Sequence, residues 1–173
     1  DNCFHRDIAP DNILITAKGP LLLDFGAARR VIGDLTHALT TVLKPGFAPI
    51  EQYGESPDMA QGPWTDIYAL ASVLYGAISG RRPVPSVERV IADRLRPLTQ
   101  MAGDRFSHGF LAAIDLAMAL RPEHRPQNIA EFRTRLMADT LAPAVGTPAP
   151  VAEGLAPTRM ATRAPLLPTE PPV

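Results

Sequence analysis

The densest group of reactive side chains opens the chain: His5-Arg6-Asp7, then Asn12, then Asp24-Phe25-Gly26. Pro10 breaks the segment between Asp7 and Asn12, so both leave one tight loop and can converge. Two short apolar runs follow, Ile13-Leu14-Ile15-Thr16 and Leu21-Leu22-Leu23, around Ala17-Lys18-Gly19-Pro20. This pattern predicts a β-hairpin whose second strand returns Asp24 beside Asn12. An amide oxygen and a carboxylate held together suit Mg²⁺, a hard cation that takes one or two such ligands plus phosphate oxygens. Asp7, off the metal, is placed to take a proton from an attacking hydroxyl. Singly, Asp, Asn and Gly are turn formers; the joint pattern points to chemistry.

These residues need a frame. Residues 24–64 carry Gly, Pro and Thr without a helical period and read as one long loop. Loops of that length inside compact domains are usually functional. Thr65 is then expected to cap a helix with Ile67, Leu70, Ala71, Leu74, Tyr75 and Ile78 on one face, ended by Gly80. A shorter helix is expected over 86–96. Another is capped by Ser107, with Phe110, Leu111, Ile114, Ala117 and Met118 inward. A last helix carries Ile129, Phe132 and Leu136 inward. The expected fold is mainly α, one small hairpin and about four helices over residues 1–141. Residues 142–173 hold eight of the 19 prolines, with Ala and Thr between them. Such a segment has too few large apolar residues to offset its ordering entropy, so a disordered tail is expected.

Composition narrows the class. The chain is 46% hydrophobic and 20% charged, a globular balance. Its net charge of −1 gives no electrostatic footprint for nucleic acid or an anionic membrane. Cys3 is the single cysteine, which excludes an internal disulfide and fits a reducing, cytoplasmic setting. The longest nearly uncharged helical run, Ile67 to Gly80, has 14 residues, too few to span a bilayer. The chain begins at Asp1 rather than Met, with reactive residues almost at once, which reads as a fragment.

In order, the motifs resemble those of the eukaryotic-like protein kinase family in its bacterial Ser/Thr form. His5-Arg6-Asp7-Ile8-Ala9-Pro10-Asp11-Asn12 matches the catalytic loop H-R-D-x-x-x-x-N, and Asp24-Phe25-Gly26 matches D-F-G. Phe47-Ala48-Pro49-Ile50-Glu51-Gln52 resembles the end of an activation segment spanning 24–51. Trp64-Thr65-Asp66-Ile67-Tyr68 resembles the start of the central helix, and Arg121-Pro122-Glu123-His124-Arg125-Pro126 the late arginine motif. The resemblance covers the large lobe only, with residues 65–140 as its helical remainder, and belongs to an α+β fold family. It implies ATP and Mg²⁺ as cofactors and a protein hydroxyl as acceptor. Asp7 would be the catalytic base, and Asn12 and Asp24 would hold the metal ions on the ATP phosphates. Leu14 would lie under the adenine, and Arg6 would meet a phosphate on the activation segment. Glu51 would pair with Arg125, and Asp66 would hydrogen-bond the catalytic-loop backbone.

Departures from the family are informative. No two of the 12 glycines have the G-x-G spacing, and the only lysines are Lys18 and Lys44. A Gly-rich loop and a phosphate-binding small-lobe lysine are therefore missing from these residues. The chain is expected to be inactive alone and to need the missing small lobe as a partner. A lysine two residues after the catalytic Asp, common in Ser/Thr kinases, is replaced by Ala9. The arginine that tyrosine kinases place two residues further on is replaced by Asp11. Lys44 then stands where a threonine is usual and is expected to supply the charge. Thr40, then Thr41, then Thr36 are the expected activation-segment phosphosites. Three alternatives remain: a pseudokinase, a non-catalytic interaction fragment, or a small-molecule phosphotransferase of the aminoglycoside or choline kinase type. His5 is expected to be structural, Cys3 a buried small hydrophobe and Trp64 core.

Overall fold

The computed structural model describes residues 3–25, 29–30, 43–54, 59–103 and 105–138. The expected tail and the three threonines lie outside them, as does Gly26. Among the described residues there are four short strands and four α-helices. Strand β1 (Cys3–Phe4) pairs antiparallel with β4 (Arg29–Arg30), Cys3 opposite Arg30. This ladder ties the segment leading into His5 to the stretch after Asp24. Cys3 is exposed in this ribbon rather than buried, because a two-residue strand at a sheet edge has no layer over it.

The hairpin consists of β2 (Ile13–Thr16) and β3 (Gly19–Leu22), with Ile13 opposite Leu22 and Thr16 opposite Gly19. The turn is therefore only Ala17-Lys18, two residues shorter than the sequence implies. Gly19 accepts a φ of +117°, and Thr16 Oγ1 closes the turn by donating to the Gly19 carbonyl at 2.7 Å. Pro20 is tolerated inside β3 because a two-stranded ribbon leaves one edge unpaired.

Helix α1 (Pro63–Ser79) is the axis of the domain. It starts two residues before the expected cap. Gly62 is the N-cap, Pro63 occupies the first turn, and Thr65 sits at the third helical position. There its Oγ1 accepts from the Gly62 N–H at 3.1 Å, half of a capping box. Only glycine fits at 62, since a Cβ would lie 2.5 Å from the Trp64 ring. Trp64 is half-buried, its indole N–H donating to the Ala60 carbonyl at 3.1 Å. Gly80 ends α1 in the left-handed region at φ 68°.

Helix α2 (Ser86–Ile91) is shorter than expected, stopping where Ala92 turns extended. Ser107 caps α3 (His108–Ala117) by accepting from the Phe110 N–H. Helix α4 (Ile129–Leu136) is capped by Asn128. The core lies between α1, α3 and α4, where Tyr68, Tyr75, Leu98, Leu111, Ile114 and Phe132 are buried together. Ile129 is 60% exposed, against expectation. As the first residue of α4 it precedes the turn that reaches the core, and only Phe132 and Leu136 pack inward.

Candidate active site

The loop over residues 5–12 is held from below by α1. The Asp66 carboxylate accepts from the His5 N–H through Oδ2 and from the Arg6 N–H through Oδ1, both at 2.8 Å. Arg6 adopts φ 67°, a strained region for a non-glycine residue. Three side chains keep it there. Besides Asp66, Gln52 Nε2 donates to the Arg6 carbonyl at 2.7 Å, and Gln61 Oε1 accepts from Arg6 Nε. Nothing periodic or charged marked Gln52 and Gln61 in the sequence.

His5 is buried and structural. Its Nε2 meets the Leu23 carbonyl at 2.9 Å, and its ring stands edge-on to Phe25 at 4.8 Å between centroids. His5 thereby couples the catalytic loop to the Asp24-Phe25 segment. A second link runs from the Leu23 N–H to the Asn12 carbonyl at 2.8 Å. The hairpin does return Asp24 to the neighbourhood of Asn12, and Asp24 itself turns left-handed at φ 57°. Asp24 is exposed and Asn12 is buried.

The Asp7 carboxylate is engaged by two side chains through one oxygen. Asn12 Nδ2 donates to the Asp7 carbonyl at 2.7 Å and to Asp7 Oδ2 at 2.8 Å. Lys44 Nζ meets the same Oδ2 at 3.1 Å and Asp11 Oδ2 at 2.9 Å. The Lys44 ammonium titrates above its ordinary value. Burial opposes this, but the hydrogen bonds to Asp11 and Asp7 outweigh it. The Asp11 carboxyl is held below its ordinary value, chiefly by the hydrogen bond from Lys44. Asp11, which in sequence only stands where tyrosine kinases place an arginine, is the second anchor of Lys44.

Glu51 and Arg125 meet in the interior with both side chains fully buried. Arg125 Nη1 donates to Glu51 Oε1 at 2.6 Å and Nη2 to Oε2 at 3.1 Å, a bidentate fork. This pair seats the turn over Ile50–Gln52, and with it Gln52, against α1 and the loop before α4. Beside Lys44 an open groove of about 710 Å³ runs along Pro10, Asp11, Phe47, Arg81 and Arg82. Leu14 is half-exposed on β2 opposite an equally exposed Leu21, and Phe25 is 63% exposed.

A family model described as the protein kinase domain matches residues 1–135. The chain belongs to the protein kinase family. This kinase domain is 39% identical over 141 residues to the serine/threonine-protein kinase PknK of Mycobacterium tuberculosis, covering 77% of the chain and 12% of PknK. It is 34% identical to the serine/threonine-protein kinase PknB of Mycobacterium leprae, covering 78% of the chain and 22% of PknB. Among solved structures it is similar to the apo form of PpkA-294, with a TM-score of 0.63 and 52% identity over 76% of the chain and 46% of PpkA-294. The kinase domain of PknI from Mycobacterium tuberculosis shares the fold at a TM-score of 0.54 and 22% identity. The chain thus spans less than half the length of these two solved chains, and less than a quarter of the two curated relatives. Among the described residues no helix is long and apolar enough to cross a membrane.

Proposed function

We propose that this chain supplies the large lobe of a serine/threonine protein kinase that moves the γ-phosphoryl group of ATP to a protein hydroxyl. The arrangement of Asp7 carries the reading. Its Oδ2 is occupied by Asn12 and Lys44, whereas Oδ1 has no hydrogen bond or ion pair among the described residues. Oδ1 is therefore the atom left to accept a proton. In the proposed step the acceptor hydroxyl oxygen bonds to the γ-phosphorus, the bond from that phosphorus to ADP breaks, and the hydroxyl proton passes to Asp7. The acceptor chain approaches along the groove beside Phe47.

Asn12 and Asp24 fit a hard cation. Both Nδ2 hydrogen bonds of Asn12 go to Asp7, which leaves its Oδ1 as a lone acceptor, and Asp24 adds a carboxylate. Among the described residues there is no group of three His, Cys, Asp or Glu that could hold a metal, so an ion here would take its other ligands from ATP. Mg²⁺ bound this way would neutralise phosphate charge. Leu14 offers an apolar surface for the adenine.

The apolar face of the hairpin fits a small lobe supplied from outside these residues. The family's Gly-rich loop and small-lobe lysine have no counterpart in this sequence. Phosphoryl transfer depends mainly on positioning and charge. The intact protein should therefore phosphorylate Ser/Thr peptides with Mg-ATP, and the 173-residue chain alone should not. Turnover by the isolated chain that Asp7→Asn abolishes would refute the need for a second lobe. No transfer by the intact protein would refute the function.

The Arg6 side chain, whose Nε donates to Gln61 Oε1 and which lines one small pocket with Leu43 and Lys44, is proposed to receive a phosphorylated Thr40, with Thr41 second. A phosphate there would order the segment through charge-assisted hydrogen bonds. Phosphopeptide mapping of active protein should find Thr40 modified; finding Thr36, Thr40 and Thr41 all unmodified would end the idea.

A further inference from the structure

Lys44 and Asp11 make a contact whose purpose is not stability. The Asp11 side chain is 67% exposed and that of Lys44 25%. Ion pairs that open to water contribute little to folding. Yet Lys44 is held with unusual care for a surface lysine. Its carbonyl accepts from the N–H groups of both Phe47 and Ala48 at 3.0 Å, and both of those residues are buried. Gly46 adopts φ +87° and lies so close to the Pro83 carbonyl that a Cβ would sit 2.7 Å from that oxygen. The backbone that carries Lys44 is therefore fixed, and the side chain spans from it to the catalytic loop.

The ammonium has three donors. One goes to Asp7 Oδ2 and one to Asp11 Oδ2. The third remains, on a nitrogen already 3.1 Å from the proposed base. Among the described residues Lys44 is the one cation in ion-pair contact with Asp7. Ala9, two residues after Asp7, is 1% exposed. Asp11 also prevents Lys44 from collapsing wholly onto Asp7, because it shares the ammonium between two carboxylates.

We propose that Lys44 is the cation that donates to the phosphoryl group in flight at Asp7, and that Asp11 is the positioning residue that holds Lys44 on the catalytic loop. This role rests on the phosphoryl-transfer reading above. Lys44 keeps its proton throughout: it stabilises the charge on the equatorial phosphoryl oxygens while the bond to ADP breaks and the bond to the acceptor oxygen forms.

The test uses intact protein, Mg-ATP and a Ser/Thr peptide, with kcat and KM measured separately. Lys44→Ala should lower kcat about 100-fold, the effect of removing one preorganised donor, with little change in KM for ATP. Lys44→Arg should retain much of the lost rate, and Lys44→Gln replaces Lys44→Ala if the latter does not fold. Asp11→Asn should lower kcat about tenfold without a matching loss of thermal stability, since the pair itself adds little to folding. Asp11→Glu should recover part of that rate. A purely structural role would move the melting temperature and leave kcat alone, and that result would overturn the proposal. So would an unchanged kcat in Lys44→Ala while Asp7→Asn is inactive, which would leave the kinase reading standing. An Asp7→Asn variant as active as wild type would overturn both.

Discussion

Asp7→Asn in the intact protein is expected to lower kcat by about 10²–10⁴-fold, the range that a positioned general base contributes. The substitution is nearly isosteric. Asp7 Oδ2 accepts from Asn12 Nδ2 at 2.8 Å and faces Lys44 Nζ at 3.1 Å, and an amide oxygen can keep both contacts. The other carboxylate oxygen becomes an NH₂ group. A donor then stands where an acceptor is required. The Lys44 ammonium loses one of two anionic partners but keeps Asp11 at 2.9 Å. Folding stability should fall by no more than about 1 kcal/mol, because Asp7 and Lys44 are only partly buried. Initial rates over a range of ATP and peptide concentrations check this. The expected pattern is a collapse of kcat with KM for ATP nearly unchanged. A kcat within about tenfold of wild type would mean that Asp7 is not the base.

The catalytic loop and hairpin were legible because their signals are local. Pro10 and the Asp and Asn residues around it dictate a turn, and two apolar runs around Lys18-Gly19 dictate a hairpin. The pairing of Glu51 with Arg125 was legible only through resemblance, since 74 positions separate them. The start of α1 was misread because Thr65 is an equally good residue at a cap or at the third helical position. The hydrogen bonds between Gly62 and Thr65, with Pro63 in the first turn, decide for the third position. Ile129 fits the helical period of α4 but precedes the part of the helix that touches the core. Of the supports of Arg6, Asp66 was legible through resemblance, whereas the two glutamines were not. Gln52 and Gln61 are neutral, polar and aperiodic, and only the folded loop shows that both converge on one strained residue. Asp11 was misjudged for a related reason. From sequence it is simply an acid in a loop, and its use appears when Lys44 arrives from 33 residues away.

Arg125→Met is expected to destabilise the domain by about 3–5 kcal/mol, because it strands the Glu51 carboxylate in the interior. The magnitude follows from how completely the arginine is used. Its five N–H donors meet Glu51 twice, the Ala119 carbonyl at 2.7 Å, the Leu120 carbonyl at 2.7 Å and the Trp64 carbonyl at 3.4 Å. The guanidinium also lies 4.6 Å from the Tyr68 ring centre, a cation–π contact. Methionine fills much of the volume but satisfies none of these acceptors. Lysine should rescue little, since one ammonium cannot reproduce the planar fork. Glu51→Gln should cost less than Arg125→Met. It leaves the arginine with its three carbonyl partners, and the amide oxygen can still accept from Thr65 Oγ1, now 3.0 Å from Glu51 Oε1. The double replacement Glu51→Gln with Arg125→Met should cost less than the sum of the two single changes, since no carboxylate is then stranded. Denaturant unfolding of the four proteins gives the coupling directly. Additive single and double effects would show that the fork contributes no specific pairing energy. Activity should fall with stability here, because the pair seats the turn that carries Gln52, and Gln52 holds the Arg6 carbonyl next to Asp7, the proposed base.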